Sequence, residues 1–461
     1  MVNESSTLEK DTDNSIETIA ARATPAGRGG IGIIRISGPK VQDISRALLG
    51  NLPKPRFASL RDFVDAENQI IDSGIALYFP GPNSFTGEDV IELQGHGGPV
   101  PMDMLLARIC ALGARLARPG EFSERAFMND RLDLAQAEAI ADLIDSGSHE
   151  AARAALRSLQ GEFSKQVNAL ATQMLALRMY VEAAIDFPEE EIDFLADSRV
   201  QQQLNEIKQA NSELLAAAKQ GCALREGLVL VIAGLPNVGK SSLLNYLAKR
   251  DAAIVTDVAG TTRDVLRESI HLDGLPLQII DTAGLHDSTD QIEQEGMRRA
   301  WKEIEAADRV LFVVDDQAGL SDEAKVLHAK LPEDIPAVIV HNKIDLSSHV
   351  PALEQDELGE HVYVSAKTGA GIDELVGVLK RAAGYQETSS DSFSARRRHL
   401  DALHRALVLV EQGEKALAID KAGELLAEDL REAHRCLGEI TGEVSSDDLL
   451  GEIFSSFCIG K

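Results

Sequence analysis

The sequence predicts a multidomain protein of α/β plus α+β class. A parallel, doubly wound P-loop domain is inserted in a discontinuous helical domain, and an α+β domain precedes both. Three observations predict this. Strand-like runs and turns fill the first ~125 residues. Alanine- and leucine-rich helical blocks lie on both sides of a stretch that alternates strand and helix. That stretch contains "GLPNVGKS" directly behind the apolar run "LVLVIA". The boundaries read from these shifts are 1–125, 126–226, 227–384 and 385–461.

The totals agree with a folded chain. Its 461 residues suggest roughly three domains. At 44% hydrophobic and 26% charged it is globular in composition. Nothing approaches the ~18 uninterrupted apolar residues of a membrane span. The polar, acidic start "MVNESSTLEKDTDNS" matches neither a secretory nor a transit signal, so a cytoplasmic protein is expected. The four cysteines are scattered without metal-ligand spacing, which argues against a zinc site or a disulfide framework. A formal charge of −28 tells against a stand-alone RNA binder, since so acidic a chain repels phosphate backbones outside a local basic patch.

In order, "IETIAARAT" and "IGIIRIS" are β-rich runs joined by the turn-forming "PAGRGG", which predicts a hairpin. "GIALYFPG" and "DVIELQGHGG" continue the strands, and "MDMLLARICALGA" follows as an apolar helix. "GRGGIG" matches a dinucleotide fingerprint only formally. A β-branched run follows it where a helix is required, so a Rossmann site is rejected. Its glycines point instead to a backbone that passes close to another segment or to a flat ligand. His96 is read as a packed turn histidine or a catalytic one, and Arg35 and Glu92 as charged residues in strand runs. Helical spacing sets in near Glu121, and Pro188 in "DFPEEEIDF" separates two helices. That acidic run reads as a solvated connector rather than a metal site.

The α/β stretch carries four ordered boxes. In "GLPNVGKS" backbone N–H groups wrap phosphates, Lys240 reaches the β and γ groups, and Ser241 holds magnesium; Asn237, Val238, Gly239 and Ser242 complete the box. "DTAG" (Asp281, Thr282, Ala283, Gly284) follows a strand and places a carboxylate near the magnesium shell. "NKID" (Asn342, Lys343, Asp345) supplies an acceptor for N1–H and N2–H of guanine, a donor pair that adenine lacks. "SAK" (Ser365, Ala366, Lys367) offers an N–H to guanine O6. Together these boxes predict GTP binding. Leu285 stands where small GTPases carry a water-orienting glutamine, so another group must take that role, and an acidic residue further on is the natural candidate; Glu293 and Glu295 are both available. "TDVAGTTRD" (from Thr256 through Asp257, Val258, Ala259, Gly260 and Thr261) is the switch candidate, with Thr262 completing the magnesium shell. Asn237 reads either as a tolerated loop residue or as an oxygen ligand for a monovalent cation beside the β/γ bridge, where an arginine finger would otherwise act.

The combination of "ATPAGRGGIGIIRISG", "FPGPNSFTGEDVIELQGHGG", "RPGEFSERAFMNDRLDLAQAEAIADLI", "GLPNVGKSSLLN", "IVTDVAGTTRDV", "DTAGLH" and the final "FCIGK" resembles the MnmE (TrmE) family of tRNA-modification GTPases from about Ile16 to Lys461. The resemblance implies an N-terminal domain that binds tetrahydrofolate (a 5,10-methylene or 5-formyl form) and dimerises. It also implies an FAD-dependent partner, MnmG (GidA), in a heterotetramer or larger complex, with tRNA reached mainly through that partner. The implied reaction installs a carboxymethylaminomethyl or aminomethyl group on C5 of the wobble uridine, with potassium-stimulated GTP hydrolysis. By motif, potassium would be held by Asn237, Thr256, Val258 and Thr261, and magnesium by Ser241 and Thr262. Glu293 matches the water-orienting glutamate. Folate contacts fall on Arg35, Glu92, Arg131 and Lys461. Arg131 and His286 depart from the family pattern, where lysine and arginine respectively can stand.

The competing reading is an RNA-binding GTPase of ribosome assembly. It would be expected to carry a basic module, whereas the stretch from Lys421 has four basic and nine acidic residues. The resemblance also implies that the tail reaches toward the folate, so that Cys458 would stand near the one-carbon unit, either as a nucleophile or as a positioning group. A thiolate there would need a nearby cation, and Lys461 is the candidate.

Overall fold

The computed structural model describes residues 17–186, 198–250, 267–272, 275–281, 304, 307–332, 335–347, 349–382, 392–444 and 446–460. The chain forms two compact units, residues 1–141 with 442–461, and residues 142–441.

The first unit begins with β1 (Ile19–Arg22) and β2 (Gly29–Ser37), an antiparallel hairpin in which Ala21 faces Arg35. Next come α1 (Val41–Leu49), β3 (Ser59–Val64), β4 (Ile70–Phe79), β5 (Val90–Gly97), α2 (Pro99–Ala111), β6 (Arg115–Leu116) and α3 (Glu121–Met128). The strands form one sheet in the order β3-β4-β5-β2-β1-β6, antiparallel except for the β1–β6 pair. Alternation along β2 and β5 sends Ile34, Ile36, Ile91 and Leu93 under α1 and α2, where Ile44, Leu48, Leu105 and Ile109 complete a core. Arg35 and Glu92 take the opposite face. The glycine string is explained by backbone approach. A Cβ at Gly97 would sit 2.7 Å from the Gly29 carbonyl and 2.6 Å from that of Ile31, so β2 and β5 meet more closely there than side chains allow. His96 lies on β5 rather than in a turn. Its ring is exposed, and Nδ1 sits 2.7 Å from Oδ1 of the buried Asp72.

α4 (Leu134–Asp145) leads into the second unit, with α5 (His149–Leu159), α6 (Glu162–Asp186) and α7 (Ser198–Glu226). Gly227, in the left-handed region at φ 74°, then turns the chain into the α/β domain. Its elements are β7 (Leu228–Ala233), α8 (Lys240–Arg250), β8 (Arg267–Leu272), β9 (Leu275–Asp281), β10 (Arg309–Asp315), α9 (Asp322–His328), β11 (Ala337–Asn342), β12 (Leu353–Asp356), β13 (Gly359–Tyr363) and α10 (Ile372–Ala382). The sheet runs β12-β13-β11-β10-β7-β9-β8, with five parallel strands and an antiparallel strand at each edge. Its inner strands read as continuous apolar runs because both faces are covered.

Helices α11 (Arg397–Asp420) and α12 (Gly423–Thr441) return to α5–α7. Phe163 stacks on Phe393 at 4.6 Å between centroids, and Ser158 Oγ donates to the Ser394 carbonyl at 2.9 Å. The Asp142 carboxylate accepts from Arg225 Nε at 2.7 Å, Arg396 Nη2 at 2.8 Å and Ser394 Oγ at 2.6 Å. The α/β domain is thus an insertion in a helical body, as the sequence predicts.

In the first unit, α13 (Asp447–Ser455) buries Ile453, Phe454 and Phe457 against Leu134 and Ala137. The residues after it pair with this unit's own backbone. The Gly120 N–H donates to the Cys458 carbonyl at 3.4 Å, and Ile459 bridges to Pro119. Gly460, at φ 97°, lies against the Arg22 carbonyl.

Candidate functional site

Each box of the α/β domain ends a parallel strand, and the strand ends share one edge of the sheet, where ligands bind in open parallel sheets. β7 runs into the P-loop, β10 into Asp315, and β11 into Asn342. α8 starts at Lys240, so the unpaired N–H groups of its first turn face the loop. Asn237 takes φ 61° and Gly239 φ 97° to form that loop. Lys240 Nζ donates to the Gly234 carbonyl at 2.8 Å and the Leu235 carbonyl at 2.9 Å, so the loop is wrapped around its own cation.

The guanine boxes close on the loop through direct bonds. Asn342 Nδ2 donates to the Val238 carbonyl at 2.9 Å, and Asn342 Oδ1 accepts the Ala366 N–H at 3.0 Å. Lys343 Nζ donates to the Asn237 carbonyl at 2.6 Å and to Asp315 Oδ2 at 2.8 Å. That lysine holds the Asp315 carboxyl below the usual carboxylate range, against the opposing effect of its partial burial. Ser365 Oγ donates to Asp345 Oδ1 at 2.7 Å, and Lys367 Nζ lies 3.8 Å from Asp345 Oδ2. These residues surround a cavity of about 530 Å³. A carboxylate at one end and a phosphate-type loop at the other suit a purine nucleotide with donors on its Watson–Crick edge.

The structure therefore brings together Val238, Gly239, Lys240, Asn342, Lys343, Asp345, Ser365, Ala366 and Lys367. Gly239, Ser242, Asn342, Lys343, Asp345, Ala366 and Lys367 line the cavity itself. Ser241 lies in the first turn of α8, and the backbone of Asp281 ends β9, in register with Ile232. Thr256, Asp257, Val258, Ala259, Gly260, Thr261, Thr262, Thr282, Ala283, Gly284, Leu285, His286, Glu293, Glu295 and Lys461 lie outside the described residues, as does the acidic run around Pro188. The Asn237 side chain is exposed at the mouth of the loop, while its main-chain carbonyl is taken by Lys343.

The sequence reading missed Asn245, Tyr246 and Lys249, which line the cavity from α8. With Ser242 they stand at i, i+3, i+4 and i+7, one helical face, and that spacing was the available signal. It also missed Asp315 and Asp316, two carboxylates at the end of the apolar strand "RVLFVV".

In the first unit Arg35 and Glu92 face each other across β2 and β5, with Arg35 Nη2 2.8 Å from Glu92 Oε1. They are partners rather than isolated surface charges. The Arg35 guanidinium also lies 5.3 Å from the Phe85 ring centre and 5.7 Å from that of Phe122. Arg131 is exposed, and its methylenes pack beside Gly87. Cys458 is exposed on the tail, whereas burial pushes the Cys110 and Cys436 thiols up and Cys222 up to about 11. Among the described residues no hydrogen bond or ion pair joins Cys458 to Arg35, Glu92 or Arg131. Beside this group Glu121 is buried among Arg115, Arg125 and the Arg118 N–H. Burial would raise its carboxyl, but these donors outweigh it and bring it down to about 2.

No helix among the described residues is long and apolar enough to cross a membrane, and no described group of three or more His, Cys, Asp or Glu side chains is arranged to hold a metal. Residues 134–458 match the MnmE helical domain, and residues 18–131 match the N-terminus of the GTP-binding protein TrmE. The tRNA modification GTPase MnmE of Chromohalobacter salexigens is 60% identical over 449 residues, 96% of this chain and 98% of that one. Its namesake in Hydrogenovibrio crunogenus is 57% identical over 445 residues, 96% of this chain and 99% of that one. Among solved structures, Era of Aquifex aeolicus bound to GDP and aluminium fluoride is 26% identical, covering 40% of this chain and 66% of its own, at a TM-score of 0.28. With both family models matched in chain order and full-length relatives near 60% identity, the chain belongs to the MnmE family of tRNA modification GTPases.

Proposed function

We propose that this protein couples potassium-stimulated GTP hydrolysis to installation of a carboxymethylaminomethyl or aminomethyl group on C5 of the tRNA wobble uridine. It does so as a homodimer working with an FAD-dependent partner of the MnmG type, and with a tetrahydrofolate one-carbon unit. One observation carries the nucleotide half of this reading. Asp345 and Ala366, each more than 100 residues from the P-loop in sequence, converge with Gly239 of that loop on one cavity.

The division of labour follows from the side chains. Asp345 accepts N1–H and N2–H of guanine, and Ser365 keeps its carboxylate turned. The first turn of α8 and Lys240 bind the phosphates, the lysine exchanging its two loop carbonyls for phosphate oxygens. A lysine in the first turn of a helix, beside that turn's backbone N–H groups, is a donor set that fits a phosphate chain. Ser241 and Thr262 would hold magnesium. Asn237, with Thr256, Val258 and Thr261, would hold potassium, which supplies positive charge beside the β/γ bridge. Glu293 orients the attacking water, because Leu285 has no hydrogen-bonding group.

For the folate, Arg35 and Glu92 offer a donor–acceptor pair beside two aromatic rings, a set that fits a flat, polar heterocycle. Arg131 and Lys461 would meet its carboxylates. The backbone pairing of Cys458 and Ile459 with Pro119 and Gly120 supports a tail that belongs with this unit. Cys458 serves there as nucleophile or positioning group.

The decisive experiment is mass spectrometry of tRNA nucleosides from a strain lacking the protein. Loss of the C5 substituent at the wobble uridine is expected, and unchanged wobble uridines would remove this reading. GTP turnover by the purified full chain is expected to fall when sodium replaces potassium. Equal rates in the two salts would remove the assignment of Asn237.

A further inference from the structure

The guanine-reading carboxylate, Asp345, sits on a single 3-10 turn, Ile344–Leu346. Three residues cannot hold a side chain rigidly by themselves, so the turn needs support at both ends. The support comes from the three residues that follow the apolar part of β10. Asp315 takes the ammonium of Lys343 at 2.8 Å. Gln317 Nε2 donates to the Leu346 carbonyl at 2.6 Å. Asp316, between them, reaches both sides of the turn. Its main-chain N–H donates to the Asn342 carbonyl at 2.9 Å. Its carboxylate accepts from Ser347 Oγ and, at 2.9 Å, from His349 Nδ1.

That carboxylate is only 1% exposed, and His341 Nδ1 lies 3.6 Å from it on the inner side. His341 is fixed in turn, stacked on Tyr363 at 4.4 Å and hydrogen-bonded to His361 at 3.0 Å. A carboxylate so deeply buried has only these donors to satisfy its oxygens, since water does not reach it. Any displacement of the segment after Asp345 therefore costs the bonds to Ser347 and His349 together. Asp316, Ser347 and His349 all lie outside the GTP-binding boxes.

We propose that Asp316 is a positioning residue for guanine recognition, clamping the turn that carries Asp345 through Asn342 on one side and Ser347 and His349 on the other. The proposal rests on the reading of Asp345 as the group that takes N1–H and N2–H of guanine. The fit needs both contacts, and the second is made only if the carboxylate lies in the plane of the base. Loss of the clamp should therefore weaken GDP more than IDP, because hypoxanthine has no N2 amine to lose.

The test is calorimetric titration of the full chain with GDP and with IDP. In Asp316→Ala and Ser347→Ala the GDP-over-IDP preference is expected to fall by about tenfold, the scale of one hydrogen bond to a charged group. Ser347→Thr, which keeps the hydroxyl, should retain the preference, and His349→Ala should lose about threefold. Asp345→Ala is the control. If it leaves GDP and IDP affinities at the wild-type values, the guanine reading itself falls. If it abolishes the preference while Ser347→Ala and His349→Ala keep it, the positioning role of Asp316 is overturned. Equal weakening of both nucleotides in those two variants would also overturn it, since that is the signature of general loosening. The last two variants keep the buried carboxylate and decide the matter even if Asp316→Ala fails to fold.

Discussion

The two candidate sites of this chain are built in opposite ways. In the α/β domain the groups that would meet a ligand are tied to one another and to the loop's main chain around an open cavity, which Asp345 lines. In the N-terminal sheet the two central candidates, Arg35 and Glu92, are closed on each other. Strand ends and a helix N-terminus supply the first site, so most of its geometry is backbone. The second depends on one side-chain pair that a ligand would have to open or extend. A prebuilt site is fragile to backbone changes, whereas a paired site is sensitive to the loss of a single charge.

The largest expected effect tests whether the prebuilt half is also the chemical half. Glu293→Ala should lower GTP turnover by about a thousandfold, the scale of a positioned acid–base group, with nucleotide affinity unchanged. Retained turnover would move the role to Glu295 or elsewhere. Next is Gly239→Ala. Gly239 has φ 97°, and a Cβ there would run into Asn342 Nδ2, so the substitution strains the loop and displaces the guanine box together. Nucleotide affinity should fall by about a hundredfold; affinity within twofold of wild type would mean the cavity is not backbone-defined.

In the N-terminal unit the acid response of Glu121 gives a direct comparison. Its folded pKa is depressed to about 2 from the ordinary 4.5, so its stabilisation is complete above pH 4.5 and is lost as pH falls towards 2. The gap corresponds to on the order of 3 kcal/mol. Glu121→Gln should remove that part of the acid dependence in thermal melts, and an unchanged pH profile would show that the arginines around it do not act on its charge. The smallest effect is expected for Arg35→Gln. It should weaken tetrahydrofolate binding by about tenfold, one charged hydrogen bond, while GTP turnover stays at the wild-type rate. Unchanged folate affinity would take Arg35 out of that site.

Much of this was legible in the sequence where local rules act alone. "PAGRGG" between two β-rich runs reads as a hairpin, and β1–β2 is one. "GLPNVGKS" between an apolar strand and "SSLLNYLAK" reads as a P-loop because strand, loop and helix are consecutive. Elsewhere the local rules had less to say. "QGHGG" looks like a turn by composition, yet His96 lies on β5, since the glycines serve close strand packing rather than chain reversal. Arg35 and Glu92 are 57 positions apart, and their pairing depends on the register of β2 with β5.

The chain itself determined the class of each region and the identity of the nucleotide boxes, because turn residues, periodicity and motif spacing are properties of neighbouring residues. Tertiary structure alone decided which charges meet. Asp316 beneath the guanine turn, Glu121 among its arginines and the tail against Pro119 and Gly120 all join segments distant in sequence. Such contacts follow from how strands order within a sheet and which faces bury, and no local pattern encodes them.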